Sequence, residues 1–134
     1  MSFIREVNGK IPIFGKKCFV APNATIVGDV TLGNECSIWF NAVVRGDVNS
    51  IFIGNNVNIQ DGAVLHCLYK KTIIEIGNNV SIGHNATIHG AKIQDNVLIG
   101  INAVVLDHAI IGENSIIAAG SVVLENSTIE PNSI

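Results

Sequence analysis

Charged residues are scarce in this 134-residue chain, and those present do not make it basic. They amount to 14% of the sequence, with 8 lysines and arginines against 11 aspartates and glutamates, for a net charge of −3. This balance excludes the basic surface of a nucleic-acid-binding protein. No run of roughly 18 apolar residues could span a bilayer, and the first residues do not form a secretory signal. We therefore expect a soluble, cytoplasmic protein without nucleic-acid or membrane partners.

Cysteine is also rare, and its spacing indicates neither a metal site nor a disulfide. The chain has three cysteines, Cys18, Cys36 and Cys67. An odd number without a C-x-x-C pair excludes a disulfide framework and a cysteine zinc site. We expect these thiols to be small core residues in a reducing compartment.

The abundant residues are β-branched aliphatics and turn formers. The sequence contains 22 Ile and 15 Val against 6 Leu, together with 16 Asn and 13 Gly. β-Branched side chains favour strands, and Asn and Gly favour turns, whereas helices favour the opposite mixture. The composition therefore predicts an all-β fold.

The aliphatic residues repeat with a period of six, which indicates a solenoid. Three residues after most of them comes Asn, Asp or Gly at a predicted corner, including Asn23, Asp29 and Asp47, and four residues after comes a small buried residue. Extra residues precede Ile53 and Ile76, and a five-residue step leads to Ile93. The 18 repeats begin at Val20, Ile26, Leu32, Ile38, Val44, Ile53, Ile59, Leu65, Ile76, Ile82, Ile88, Ile93, Ile99, Val105, Ile111, Ile117, Val123 and Ile129.

This pattern resembles the hexapeptide-repeat proteins, which form a left-handed parallel β-helix of triangular section. In that family three repeats make one coil, so the resemblance implies about six coils. We expect a single β-helix domain over 1–134, with 1–19 as a lead-in strand segment and 20–134 as hexapeptide repeats. Relatives add a loop and a capping helix, whereas this sequence ends at Ile134, and we expect the C-terminal capping helix to be absent.

Three repeats per coil sort the strands onto three faces. Val20, Ile38, Ile59, Ile82, Ile99 and Ile117 begin the first face, and Leu32, Ile53, Ile76, Ile93, Ile111 and Ile129 begin the third. The second face carries the remaining repeats, and the residue after each aliphatic points outward. Arg45, His66 and His89 therefore stack on consecutive coils of the second face, about 4.8 Å apart.

Two stacked imidazoles predict a metal site. His84 lies around a corner on the first face, so within one chain it cannot easily join His66 and His89. In a closed trimer the first face of one subunit can oppose the second face of the next, and His84 would then come from the neighbour. A lone outward histidine is ordinarily solvated surface, which we expect for His108 at a corner.

Three segments resemble the gamma-class carbonic anhydrases: 44–47 (VRGD), 58–66 (NIQDGAVLH) and 82–90 (IGHNATIHG). The resemblance implies a homotrimer with metal sites between subunits, held by His66 and His89 of one chain and His84 of its neighbour. It further implies that Arg45, Asp47 and Asp61 form an ion-pair network at the interface. Gln60 would orient the metal-bound water or substrate, with Asn58 nearby.

The activity implied by this resemblance is that of a carbonic anhydrase-like lyase. Its metal-bound hydroxide would attack carbon dioxide to give bicarbonate, with Zn²⁺, Fe²⁺ or Co²⁺ as the cofactor. The most active relatives carry glutamates as proton shuttles after the aspartate that matches Asp47 and in the loop after the first histidine. Here Val48 and Asn49 follow Asp47, and the loop reads Leu68-Tyr69-Lys70-Lys71, so no glutamate shuttle is evident.

Two other functions remain open at the level of sequence. Hexapeptide-repeat acyltransferases and thioesterases act on coenzyme A esters, although neither an extended loop with its own histidine nor a G-x-P-A-K-like segment is present. A catalytically weak structural or assembly subunit is also compatible with the missing glutamates. Arg45 and Asp47 could then be a simple surface ion pair, and Gln60 and Asp61 corner residues.

Overall fold

A computed structural model of the chain, which describes residues 2–134, is a parallel β-helix of six coils. The all-β prediction is confirmed, since no residue of this range lies in a helix. The strands in chain order are β1 (Phe3–Arg5), β2 (Phe19–Val20), β3 (Thr25–Leu32), β4 (Ser37–Ile38), β5 (Val43–Ile53), β6 (Asn58–Ile59), β7 (Val64–His66), β8 (Ile74–Ile76), β9 (Ser81–Ile82), β10 (Thr87–His89), β11 (Lys92–Ile93), β12 (Leu98–Ile99), β13 (Val104–Val105), β14 (Ile110–Ile111), β15 (Ile116–Ile117), β16 (Val122–Val123) and β17 (Thr128–Ile129).

The strands form the three predicted faces. The first face is a six-stranded sheet in the order β15-β12-β9-β6-β4-β2. The second face stacks β1, the first part of β3, the first part of β5, β7, β10, β13 and β16, and the third stacks the ends of β3 and β5 with β8, β11, β14 and β17. Because β3 and β5 run around a corner without a break, the second and third faces join into one sheet.

The repeated aliphatic residues fill the interior of the prism. Ile38, Ile59, Ile82 and Ile99 stack along the first face, and each is at most 1% exposed. Burial of each such side chain contributes about 2 kcal/mol to the free energy of unfolding. The alternation places every neighbouring side chain outside, so the coils present rigidly spaced columns of outward residues.

Asparagine makes most of the corners, as the repeat predicts. Asn56, Asn79, Asn96, Asn114 and Asn132 all have φ between 54° and 62°, the left-handed region. Their side chains also form a ladder in which each amide donates to the carboxamide oxygen one coil further on, at 2.8 to 3.3 Å. The ladder satisfies polar groups along this edge of the prism, so the same residue both bends the chain and links the coils.

The corner prediction is wrong at two positions. Asp29 and Asp47 have no positive φ and lie inside the continuous strands β3 and β5, whereas Asn23 forms the predicted turn without a positive φ. Between the second and third faces the bend instead occurs at Gly28, with φ 79° and a register shift before Val30. A side chain at Gly28 would collide with the backbone of Gly46 on the next coil.

The lead-in segment adds part of a further coil. β1 pairs in parallel with Thr25–Val27, and Ile13 bridges Thr31 in the parallel sense. Residues 3–13 therefore cover the edges of the second and third faces that would otherwise be unpaired.

The three cysteines are free thiols, as predicted. Cys36 and Cys67 are 2% and 1% exposed, and Cys18 is half-buried. Among residues 2–134 no helix is long and apolar enough to cross a membrane.

Candidate metal site

The predicted column of polar residues on the second face is confirmed. Arg45 of β5 pairs in register with His66 of β7, and His66 pairs in register with His89 of β10. The two histidines are 23 positions apart rather than 18, because the loop 67–73 is inserted between β7 and β8. Because β8 still pairs in register with β5 and β11, the loop adds chain length without shifting the faces.

The two imidazole rings face each other through one nitrogen each. His66 Nδ1 lies 3.3 Å from His89 Nε2. The other nitrogens contact carboxylates: His66 Nε2 is 3.0 Å from Asp47 Oδ1, and His89 Nδ1 is 2.8 Å from Asp107 Oδ2. A carboxylate can only accept a hydrogen bond, so these outer nitrogens carry the protons of the neutral rings. When both rings are neutral, the two facing nitrogens are unprotonated and can act as metal ligands.

The burial of His66 favours the neutral ring. Burial lowers the pKa of His66, and Arg45 adds to this effect, against the opposing hydrogen bond with Asp47. Although burial alone would raise the pKa of Asp47, its hydrogen bonds with Arg45 at 2.7 Å and with His66 lower it. A neutral imidazole beside an ionised aspartate is the protonation state in which histidine binds metals.

The geometry of the pair fits a tetrahedral metal ion. Two nitrogen ligands at 2.0–2.1 Å from zinc in tetrahedral geometry are about 3.3 to 3.4 Å apart. The observed separation of 3.3 Å between His66 Nδ1 and His89 Nε2 agrees with that value. Two unprotonated nitrogens at this distance repel each other unless a cation lies between them, so the donor set fits zinc or a similar divalent ion.

His84 lies apart from this pair. It follows β9 on the first face, is 48% exposed in its side chain, and its Nδ1 is 3.1 Å from Asp61 Oδ1. Within the described part of the chain, no group of three His, Cys, Asp or Glu side chains is arranged to hold a metal ion. One chain therefore supplies two of the three predicted histidine ligands at one place and the third elsewhere.

Three further predicted site residues, Asn58, Gln60 and Asp61, lie on the first face with His84. Gln60 Nε2 donates to Asn58 Oδ1 at 2.9 Å, and Asn58 Nδ2 donates to Ser81 Oγ at 2.8 Å. Together with Ser37, Trp39, Asp61 and His84, Gln60 and Asn58 line one open groove. Arg45 pairs with Asp47, whereas Asp61 pairs with His84, so the structure does not join the three predicted network residues within one chain.

Asp107 and Thr72 are site residues that the sequence reasoning missed. Asp107 follows β13, is 8% exposed, and accepts a hydrogen bond from Thr72 Oγ1 at 2.9 Å. In the repeat, Asp107 directly precedes the predicted corner at His108, where Asp is ordinary, and Thr72 lies in the loop that interrupts the repeat. The signal that could have identified Asp107 was a carboxylate at a position that the repeat buries, one coil after His89.

Comparisons with known proteins agree with this architecture. The family model described as bacterial transferase hexapeptide (six repeats) matches residues 12–46 and 90–125. A probable carbonic anhydrase of Methanocaldococcus jannaschii is 53% identical over 69% of this chain and 58% of its own length. Gamma carbonic anhydrase 2, mitochondrial, of Arabidopsis thaliana is 39% identical over 78% of this chain and 39% of its own length.

The solved structures include a provisionally assigned acetyltransferase from Bacillus cereus. It superposes with a TM-score of 0.95 at 40% identity, over 98% of this chain and 76% of that one. The chain spans less than two thirds of the length of the curated relatives described above.

Proposed function

Since this chain belongs to the bacterial transferase hexapeptide family, and within it to the gamma-class carbonic anhydrase-like proteins, we propose that it is a metal-dependent hydrase of carbon dioxide. His66 and His89 of one subunit and His84 of the next would hold the metal ion in a homotrimer. The product would be bicarbonate.

One observation carries the proposal: each of these three histidines has one ring nitrogen held by an aspartate. The pairs are His66 with Asp47, His89 with Asp107 and His84 with Asp61. A carboxylate on one nitrogen fixes the ring and leaves the other nitrogen as a ligand. Nδ1 of His84 is the engaged atom, so its Nε2 points a lone pair away from Asp61 and is available to a neighbouring subunit.

The placement of the proposed ligands on a triangular prism supports the trimer. His84 lies on the first face, and His66 and His89 lie on the adjacent second face. A head-to-tail contact between the first face of one prism and the second face of the next closes as a ring. The groove of the first face would thereby bring Gln60 towards the metal site of the neighbour.

Around this site the polar side chains would hold the reactants. Bound zinc, ferrous iron or cobalt would supply the nucleophile, because coordination lowers the pKa of water to about 7 in carbonic anhydrase with three histidine ligands, the case for which that value is known. The amide of Gln60, fixed by Asn58, can exchange a hydrogen bond with the reacting water or with a bicarbonate oxygen. Arg45 keeps Asp47 ionised, and Asp47 holds the proton on His66 Nε2.

Mixed trimers test the shared site directly. We expect the His66→Ala and His84→Ala proteins, purified under anaerobic conditions, each to lose bound metal by more than about 100-fold, since removing a ligand costs more than the 10- to 100-fold of an outer-shell change. After unfolding and co-refolding in equal amounts, about one quarter of the sites should recover metal. Three quarters of random trimers are mixed, and each mixed trimer contains one intact site.

The matched control combines His66→Ala with His89→Ala. Both substitutions remove a ligand from the pair that one subunit contributes to each site. No mixed trimer therefore holds an intact site, and no metal should return. Recovery with both pairs of variants, or with neither, would contradict a site shared between subunits. Elemental analysis of the refolded trimers gives the metal content in each case.

The activity itself needs a separate measurement. We expect stopped-flow assays to detect carbon dioxide hydration by the zinc- or iron-loaded protein, and this rate to fall to background in His66→Ala. Background rates with both metals bound would contradict the proposed reaction and favour a structural subunit that retains its metal.

A second candidate is transfer or hydrolysis of an acyl group carried by coenzyme A. It is favoured by the name of the family model and by that of the Bacillus cereus protein. Calorimetric titration with acetyl-coenzyme A discriminates between the two functions, because only the second requires binding of the coenzyme. The carbon dioxide hydrase should give no heat of binding.

A further inference from the structure

Three departures from the six-residue period meet beside His89. The first is the loop 67–73 inserted after β7, and the second is the five-residue step from Ile88 to Ile93. The third is Gly90, which has φ 58° at the position that follows His89. Each departure interrupts the regular coil, and together they bring Thr72 of one coil to Asp107 two coils away.

The contacts form a continuous chain from the loop to the ring. The backbone N–H of Leu68 donates to Thr72 Oγ1 at 2.8 Å, and Thr72 Oγ1 donates to Asp107 Oδ1 at 2.9 Å. Both oxygens of Asp107 lie within 3.0 Å of His89 Nδ1. Because Leu68 already occupies the hydroxyl oxygen, the single hydroxyl proton of Thr72 is directed at the carboxylate.

Gly90 provides the space for this contact. It lies on the coil between Thr72 and Asp107, and a Cβ atom at this position would collide with Thr72 Oγ1 and Asp107 Oδ1. The absence of a side chain and the left-handed backbone at Gly90 are therefore both required by the same hydrogen bond.

Asp107 has few partners in the described chain. Thr72 and Asp107 are 4% and 8% exposed, and among residues 2–134 the sole ion-pair partner of Asp107 is His89. Asp47, by contrast, shares its carboxylate between Arg45 and His66. The side chain of Asp107 is therefore committed to Thr72 and His89, which is the contact pattern of a residue that orients a histidine ring.

We propose that Asp107 is the positioning residue of His89, holding its ring with the proton on Nδ1 and its Nε2 directed at the metal, and that Thr72 fixes Asp107 in turn. The loop 67–73 thus contributes to the proposed metal site indirectly, because its Thr72 contacts the carboxylate that holds the His89 ring. The role in metal binding rests on the proposed function above, whereas the control of the ring tautomer does not.

The tautomer can be measured without metal. Long-range ¹H–¹⁵N spectra of the metal-free trimer, at a pH where the four histidines are neutral, should show His89 protonated on Nδ1. In Asp107→Asn, Thr72 selects the amide oxygen and turns the NH₂ group towards His89, so the proton should move to Nε2. A tautomer unchanged in both Asp107→Asn and Asp107→Ala would overturn the proposal, whatever the protein does with metal.

Metal affinity gives the second readout. We expect Asp107→Asn to weaken Co²⁺ binding by about 10- to 100-fold in competition with a chelator, the usual effect of losing an outer-shell carboxylate. Asp95→Asn is the matched control, because Asp95 accepts a backbone hydrogen bond from Asn78 at 2.7 Å in the same solenoid but away from the site. Equal affinities of the two variants would overturn the role in metal binding.

Variants of Thr72 and Gly90 separate positioning from general stability. Thr72→Val and Gly90→Ala should both weaken Co²⁺ binding and change the visible spectrum of the bound ion, and Thr72→Ser should restore both. If Thr72→Val lowers the melting temperature but leaves the spectrum and the affinity unchanged, Thr72 is a structural residue only. Wild-type protein that binds no metal would refute the proposed function, and the tautomer measurement would still decide the role of Asp107.

Discussion

At the scale of single residues, the chain holds three histidine rings by three different routes. Asp47 reaches His66 from the neighbouring coil within the same face, and Asp61 reaches His84 across adjacent coils at the end of the first face. Asp107 approaches His89 from a corner one coil further on. The common result is a ring with a defined donor and a defined acceptor nitrogen, which is what a metal ligand requires.

The buried thiol of Cys67 predicts a pH dependence of stability. Burial raises the pKa of Cys67 to about 11 from the usual 9, so the folded state favours the neutral thiol. The corresponding stability is fully present below pH 9 and is lost as the pH rises towards 11. We expect Cys67→Ala to reduce the fall in the free energy of unfolding over this range by on the order of 1–2 kcal/mol.

Urea unfolding at pH 7 and at pH 10.5 measures this effect. The control is Cys18→Ala, since Cys18 is half-buried. A pH dependence that is the same in wild type and Cys67→Ala would exclude the thiol as its source.

At the scale of elements, the period of six predicted nearly every strand, and the exceptions have physical causes. The inward aliphatics of all three faces were identifiable because each of them points into the prism, whereas the residues before and after it point outward. The corners at Asp29 and Asp47 were mispredicted because Gly28 and Gly46 pack backbone against backbone there. That contact depends on two coils together, and neither residue reveals it alone.

The same dependence on packing explains which contacts of the candidate site could be predicted from the sequence. His66 and His89 could be paired from sequence because backbone register alone places them side by side. The contact of Asp107 with Thr72 could not be predicted, because it depends on the path of an irregular loop and on the space above Gly90. Loop conformation follows from packing rather than from periodicity.

The asparagine ladder predicts a contrast between two substitutions of one residue. Asn96 has φ 58° and both donates and accepts within the ladder. Asn96→Ala should destabilise the protein by about 2 to 3 kcal/mol, since it adds left-handed strain to the loss of two hydrogen bonds. Asn96→Gly loses the bonds without the strain and should cost about 1 kcal/mol less. Thermal unfolding gives both values, and equal destabilisation would show that backbone strain is unimportant at this corner.

At the scale of the whole molecule, the strands of each coil pair with those of the coils before and after it, and the hydrogen bond from Thr72 to Asp107 reaches one coil further. Stability should then be a sum of coil and interface contributions, as in other solenoids. The histidines of the candidate metal site and their aspartates lie on coils two to five, so the final coil contributes stability but no proposed site residue.

Deletion of one coil tests this additivity. Removing residues 112–129 joins Ile111 to Glu130 and places Asn132 where Asn114 had been, so the period is kept. We expect this protein to fold with a lower melting temperature and an unchanged affinity for Co²⁺. Removing residues 112–120 instead brings Val123 three positions after Ile111, and the last strands should fail to pair. Circular dichroism and metal titration distinguish the two, and similar behaviour of both deletions would contradict a coil-by-coil architecture.

The loop 67–73 has a consequence for how such a protein can be altered over evolution or by engineering. β7 and β8 are each registered on their neighbours by backbone hydrogen bonds, so residues can be gained or lost between them without displacing either strand. The exposed tip around Tyr69 is open to such variation, whereas the bond from Leu68 to Thr72 is not. A peptide tag could therefore be grafted at this tip without disturbing the register of the strands on either side.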